Sequence, residues 1–294
     1  MSAGEAIEVE GVRLTSPDKI LYTEQGITKR ELASYYVAVA DRMVPYVANR
    51  PITLVRCPAG RQKKCFYQRH AGSGVPSELG QVEVAGFEES GAYLFIRDVR
   101  GLVALVQMGV LEIHPWNAHV DRTDRPDQVI FDLDPGEGLA FQNVAAAAHD
   151  VRAELDRLGL PGFLKTTGGK GLHIVVPITP DHDWAEVKRF SKAVGDKLSA
   201  AEPERFLTRQ SIAARKGRIF IDYLRNDPTS TAVAPFSTRS RPGATVSVPI
   251  GWSELTPDLD PAELTLRTVP NWLARRTDDP WAGMDAARRP LPPL

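Results

Sequence analysis

Residues 129–138 read VIFDLDPGEG. Two acids, Asp132 and Asp134, interrupt a run of Val, Ile, Phe and Leu that ends in a Pro-Gly turn. A short apolar run bounded by such a turn reads as a strand. Successive side chains of a strand point to opposite faces, so the two acids share one face. Their Cα atoms are then roughly 6–7 Å apart. Two carboxylates held that close repel unless one is protonated or a cation bridges them. A hard divalent ion with oxygen ligands is the natural bridge. Taken alone, the pair reads equally well as one surface residue and one turn cap.

A second acid sits in apolar surroundings at RIFIDYLRN (218–226), where Asp222 falls in the middle of another expected strand. It could be a single solvent-facing residue. If the two strands are neighbours, three carboxylates converge, which is the ligand set of a two-metal phosphoryl-transfer site.

Between these stretches lies KTTGGKGLHIVV (165–176). Gly168, Gly169 and Gly171 surround Lys170. A glycine turn lets backbone N–H groups approach phosphate oxygens, and Thr167, Lys170 and His173 add a hydroxyl, a charge and a ring donor. The Walker spacing is absent and the turn leads into a strand, so by itself the stretch is an ordinary hairpin. The segment 209–241 carries seven Arg or Lys against two acids, Arg225, Arg239 and Arg241 among them. A second basic stretch, Arg50 to Arg69, contains no acid and embeds Phe66 and Tyr67. Bases can stack on aromatics set among cations; core packing is the expectation for one of the two rings.

The flanking elements alternate between helix and strand. Residues 28–49 predict a helix, with Thr28 and Glu31 as a capping box and Leu32, Val39 and Met43 on its apolar stripe. Strands are expected at 51–56, 93–96 and 110–116 and on either side of the glycine turn in FLKTTGGKGLHIVVP (163–177), a short helix near 101–108, and amphipathic helices at 141–158 and 183–200. The pattern is mixed α/β rather than doubly wound.

Composition narrows the class further. The 294 residues are 43% apolar with a net charge of −1, so any nucleic-acid surface is local. Two cysteines, Cys57 and Cys65, predict no disulfide framework; they are expected to behave as small apolar residues in a reducing cytoplasm. His114 and His119 in EIHPWNAH match no zinc spacing. The N-terminus has no signal-peptide pattern, and no apolar run is long enough to cross a membrane.

The order IHPW, FDLDPGEG, TTGGKGLHIVVP, IDYLRN, APFSTRSRPGA closely resembles the polymerase domain of bacterial DNA ligase D, in the archaeo-eukaryotic primase superfamily. The resemblance runs from SPDKILY to WAGMDAARRPL. It implies a primase-type α/β fold with an RRM-like catalytic sheet and a second sheet, in a single compact domain. Residues 1–110 would be the DNA and 5′-phosphate side, 110–250 the catalytic core and 251–294 loops and tail. By matching position, Asp132, Asp134 and Asp222 would be the catalytic acids holding two Mn²⁺ or Mg²⁺ ions. His114, Thr167, Lys170, His173, Arg225, Arg239 and Arg241 would serve the nucleotide. Lys19 and Lys29 would grip a 5′-phosphate, and Phe66 and Tyr67 would meet the templating base. Thr167 stands where many relatives have Ser, Tyr67 where Phe is common, and Val55 near where some have Lys.

The implied function is template-directed extension of a primer 3′-OH with nucleoside triphosphates, at gaps or 3′ overhangs bearing a 5′-phosphate, in non-homologous end joining. The implied partners are Ku and a DNA ligase module, and the implied location is the bacterial cytoplasm at the nucleoid. A stand-alone primase, a metal-dependent nuclease or phosphoesterase, and a catalytically inert recruiting module are the competing classes.

Overall fold

The computed structural model describes residues 5–84 and 91–293. In chain order come β1 (Ile7–Val9), β2 (Val12–Leu14), β3 (Ile20–Tyr22), β4 (Ile27–Thr28), α1 (Lys29–Val47), β5 (Ile52–Arg56), β6 (Phe66–Gln68), β7 (Gly80–Val82), β8 (Tyr93–Phe95), α2 (Val99–Gln107) and β9 (Val110–Pro115). They continue with β10 (Gln128–Pro135), α3 (Phe141–Arg157), β11 (Phe163–Thr166), β12 (Leu172–Pro177), α4 (Trp184–Ala201), β13 (Phe206–Leu207), β14 (Ile219–Asp222), β15 (Pro249–Ile250) and α5 (Val269–Ala274). The chain groups into two compact units, each assembled from three segments: residues 1–116, 233–247 and 262–276 in one, and 117–232, 248–261 and 277–294 in the other.

In the first unit β5 is the organising strand. It pairs antiparallel with β9, β6 and β8, and β8 pairs with β7. The start of α1 is fixed by the expected capping box: Glu31 N–H donates to Thr28 Oγ1 at 3.2 Å, and Thr28 N–H donates to Glu31 Oε2 at 2.9 Å. Leu32, Tyr36, Val39 and Met43 then form a buried stripe. Asp98, which the sequence reading passed over, caps α2 through the backbone N–H groups of Arg100 and Gly101.

Cys57 and Cys65 are joined by a disulfide, which overturns the expectation of two separate apolar thiols. Turns closed by Gly60 N–H to Cys57 O and Lys63 N–H to Gly60 O double the chain back, so the two Cα atoms lie 4.3 Å apart. The expectation that one of Phe66 and Tyr67 packs in the core is also overturned. They are 40% and 75% exposed on β6, at one end of the sheet order.

The second unit is a six-stranded sheet in the order β13-β14-β10-β12-β11-β15, antiparallel except for the β13–β14 pair. Its apolar face carries Phe131, Leu133, Ile174 and Ile221, all fully buried. The helices cover this face. At Gly195 of α4 the backbone runs so close to Ile221 that an added Cβ would lie 3.4 Å from it, and Leu155 of α3 and Ile174 both crowd Gly162. Val144, Ala148, Val151 and Leu155 are buried on α3, while Leu158, the last residue of the stripe that the spacing predicts, is its half-buried C-cap, and Gly159 ends the helix at a φ of 70°. The opposite face therefore carries the acids.

Strand β14 ends at Asp222, so this residue closes the strand rather than occupying its middle. Beyond it the chain tightens into a 3₁₀ turn, Leu224–Asn226, and the Asn226 side chain takes over the strand's role. Its Nδ2 donates to Ile130 O at 2.7 Å and its Oδ1 accepts from Ile130 N–H at 2.8 Å. Asn226 is fully buried. Replacing it with Ala strands two backbone groups of the central strand away from water, at a cost of about 2–4 kcal/mol. Urea unfolding of Asn226→Ala should show that loss at an unchanged m-value.

Candidate metal centre and nucleotide-binding groups

Register brings the three acids together. Asp132 on β10 lies directly opposite Asp222 on β14, and Asp134 is two residues on along the same face. One carboxylate oxygen from each lies within 4.8 Å of the others. Three hard oxygen donors at this spacing fit Mg²⁺ or Mn²⁺. Burial and mutual repulsion both oppose their ionisation. Burial raises the Asp134 carboxyl, and the charge of Asp132 raises it further, to about 6. Burial likewise raises Asp222.

Arg225 is the cation that meets the buried acids. Its Nε donates to Asp132 Oδ2 at 3.1 Å, and a terminal nitrogen lies 3.3 Å from Asp222 Oδ2. Asp132 is desolvated, which opposes ionisation. His173 and the Arg225 guanidinium outweigh that and hold it well below the ordinary carboxylate range. His173 Nε2 lies 3.2 Å from Asp132 Oδ1. Burial, and then the charge of Lys165, lower the His173 pKa to about 4, so its ring is neutral at pH 7 and Arg225 is the cation that persists.

The same face extends across the sheet. Asp222 pairs with Asp132, Asp132 with His173, and His173 with Lys165, one residue on each of four neighbouring strands. Lys165 is 1% exposed. The sequence reading missed it, although its i, i+2 relation to Thr167 on one strand face was the available signal. The GGKG stretch is a hairpin turn between β11 and β12, as expected. Thr167 Oγ1 donates to Gly171 O at 3.1 Å across its base, and Lys170 is exposed at its tip. Gly171 is required by space: a Cβ there would meet Leu133 O at 2.6 Å. Arg215 is a second missed residue. Its guanidinium lies 3.9 Å from Asp134 Oδ2 and 3.9 Å from the centre of the Phe220 ring. Gly136 admits it, because a Cβ at 136 would lie 1.7 Å from Arg215 O.

His114 and Arg239 belong to a cluster in the first unit, and both meet a residue the sequence reading passed over, Glu112. His114 Nε2 is 2.9 Å and Arg239 Nε 3.0 Å from Glu112 Oε2. Burial alone would raise this carboxyl. The His114 contact, the Arg239 guanidinium and Ser240 hold it far below its ordinary value instead. Alternation along β9 (Glu112, His114) was the signal for it. Arg241 is exposed. His119 faces Asp127 at 3.3 Å, in a cluster with Arg288 rather than with either site.

Also in the first unit, Lys19 is exposed and Lys29 is buried. The Lys29 ammonium donates to Thr15 O at 2.9 Å and to Gln107 Oε1 at 2.6 Å. Burial and then the nearby Lys19 charge lower its pKa to about 8. Arg56 lies over the Phe66 ring, 5.4 Å from its centre.

The Asp134 shift sets a pH dependence. A carboxyl raised from 3.8 to about 6 contributes stability that is present below 3.8 and is lost as pH rises through about 6. Asp134→Asn should therefore raise the melting temperature of the EDTA-treated protein at pH 7 but not at pH 4. Mn²⁺ titrated into the wild-type protein should bind more tightly at pH 7 than at pH 5, with proton release seen as a buffer-dependent heat in calorimetry.

The sequence matches the family described as "LigD, primase-polymerase domain" over residues 28–281. It is 38% identical over 280 residues to the multifunctional non-homologous end joining protein LigD of Pseudomonas aeruginosa, which covers 95% of this chain and 33% of that protein. It is 29% identical over 260 residues to the bifunctional non-homologous end joining protein LigD of Bacillus subtilis, covering 88% of this chain and 42% of that protein. The chain thus spans less than half the length of these relatives. Among solved structures, the polymerase domain from Mycobacterium tuberculosis ligase D in complex with DNA aligns with a TM-score of 0.87 at 31% identity, covering 94% of this chain and 98% of that one. The expected mixed α/β architecture and family resemblance are borne out: this chain belongs to the LigD primase-polymerase domain family, a family of nucleotidyltransferases.

Proposed function

We propose that this chain catalyses template-directed nucleotidyl transfer at broken or gapped DNA. A primer 3′-OH attacks the α-phosphate of a bound nucleoside triphosphate, the new phosphodiester forms, and pyrophosphate leaves. The observation that carries this reading is the convergence of Asp132, Asp134 and Asp222 on one face of adjacent strands. Two divalent ions held there, Mn²⁺ or Mg²⁺, would supply Lewis-acid stabilisation of phosphoryl charge and lower the pKa of the attacking hydroxyl.

The chain's own groups complete the site in this reading. Thr167, Lys170 and His173 serve the nucleotide from the β11–β12 hairpin and β12, and Arg225 lies against the acids themselves. His114, Arg239 and Arg241 take the role of further nucleotide contacts, where cations oppose the charge that builds on the leaving group. A nuclease or phosphoesterase would use the acids but has no need of these triphosphate cations. Lys19 and Lys29 bind a 5′-phosphate. Two mutually repelling ammonium groups, one of them desolvated, gain from an anion between them. Phe66 and Tyr67, exposed beside Arg56, provide a stacking surface for the templating base. The repair setting is end joining, with Ku and a ligase module as partners, in the cytoplasm.

Asp132→Ala with Asp134→Ala should abolish primer extension while the folded baseline in circular dichroism is retained; unchanged extension by the pure double variant rejects the reading. For the 5′-phosphate, gapped DNA bearing it should bind more tightly than the same DNA with a 5′-hydroxyl. That difference should shrink as pH rises through about 8, where Lys29 loses its proton. In Lys29→Ala it should be smaller and independent of pH in fluorescence-anisotropy titrations.

A further inference from the structure

Glu112 is a buried carboxylate, 4% exposed, on a strand whose sequence marks it only as one polar position between apolar ones. Its oxygens divide their partners. Oε1 accepts from Ser240 N–H at 2.8 Å and from Ser240 Oγ at 2.6 Å. Oε2 faces His114 Nε2 at 2.9 Å and accepts from Arg239 Nε at 3.0 Å. A carboxylate offers about four lone-pair directions, so this set uses its full capacity.

The division has a physical meaning. The Oε1 side holds backbone, fixing where residue 240 sits. The Oε2 side meets two side chains, an imidazole and a guanidinium. Backbone anchoring does not depend on Glu112 alone. Ser237 Oγ accepts from Ile113 N–H at 2.9 Å, Thr238 Oγ1 donates to Leu111 O at 2.6 Å, and Ala234 N–H donates to Ile113 O at 2.8 Å. The segment 234–240 is thus stitched to β9 at several points, and Glu112 adds its two bonds to Ser240 and its contact with the His114 and Arg239 side chains.

We propose that Glu112 is a positioning residue for nucleotide binding, setting the orientation of His114 and Arg239 toward the triphosphate. The proposal rests on the reading of those two residues as nucleotide contacts. Because an ionised carboxylate only accepts, the contact requires a proton on His114 Nε2. The negative charge also keeps the Arg239 guanidinium from turning away in the absence of an anion. A charged orienter does this where a neutral one does not: Gln at 112 has the same shape but turns one of its two acceptor atoms into a donor, which then faces donors.

Calorimetric titration of a nucleoside triphosphate with Mn²⁺ into the full chain tests this without relying on turnover. Glu112→Gln should weaken binding about tenfold, the loss of roughly one aimed charge-assisted bond. Ser240→Ala, which removes a contact on the anchoring oxygen only, should leave it within about twofold. The triple variant Glu112→Gln, His114→Ala, Arg239→Ala should bind no more weakly than His114→Ala, Arg239→Ala, because a residue that acts through two others has no effect without them. In the wild-type protein, imidazole nitrogen-15 shifts should place the His114 proton on Nε2, a readout that survives if a variant does not fold. Unchanged nucleotide affinity in folded Glu112→Gln, a further additive loss in the triple variant, or an Nε2 without a proton overturns the proposal. Primer extension is a separate readout. Nucleotide binding that responds to Glu112→Gln in a protein that extends no primer supports the Glu112 assignment while overturning the polymerase reading.

Discussion

The second unit depends on one register. β10 and β14 pair so that Asp132 faces Asp222, and side chains alternate strictly along each strand. A slip of one residue in either strand would send its acid to the face covered by α3 and α4 and bring an isoleucine or leucine to the site. The register is held by apolar packing on the other face, where Phe131, Leu133 and Ile221 are fully buried. The Asn226 clip on Ile130 holds it at the strand end. The convergence of the acids and core packing are therefore the same constraint seen from the two sides of one sheet.

Charge is managed differently in the two units. In the second, three carboxylates crowd together with Arg225 against two of them and Arg215 beside the third, and it is the convergence of their oxygens that suits them to divalent ions. In the first, one carboxylate, that of Glu112, is shared by a guanidinium, an imidazole and a serine, and its acceptor capacity is filled by them.

Much of this was legible in the sequence. VIFDLD revealed a strand and a shared face for its acids because the period of two is a local property. The capping box at Thr28 and Glu31 and the stripe of α3 were legible for the same reason. The pairing of β10 with β14 could be entertained but not established, since 87 residues of chain lie between Asp134 and Asp222 and no local rule fixes which strands meet. Lys165 and Glu112 escaped because a single charged residue in an apolar strand is usually solvent-facing, and only tertiary structure shows that both are buried. Arg215 escaped because its position depends on the clearance at Gly136. The disulfide escaped because two cysteines in an expected reducing setting read as separate thiols, although Pro58 and Gly60 stand at the second and fourth positions of the turn closed by Gly60 N–H to Cys57 O.

Arg225 gives the site a resident counterion. A cluster of three acids with no cation would swell apart or take up protons, and each round of catalysis would begin by gathering them again. With a guanidinium lodged against two of them, the pocket keeps its shape between rounds, and loading an ion becomes an exchange of partners rather than an assembly. The trade lowers intrinsic affinity for the ion, since a bound cation must be loosened first. A phosphate-bearing ligand would offer Arg225 another partner and free the acids for an ion, so that occupancy of the metal site would follow that of the ligand.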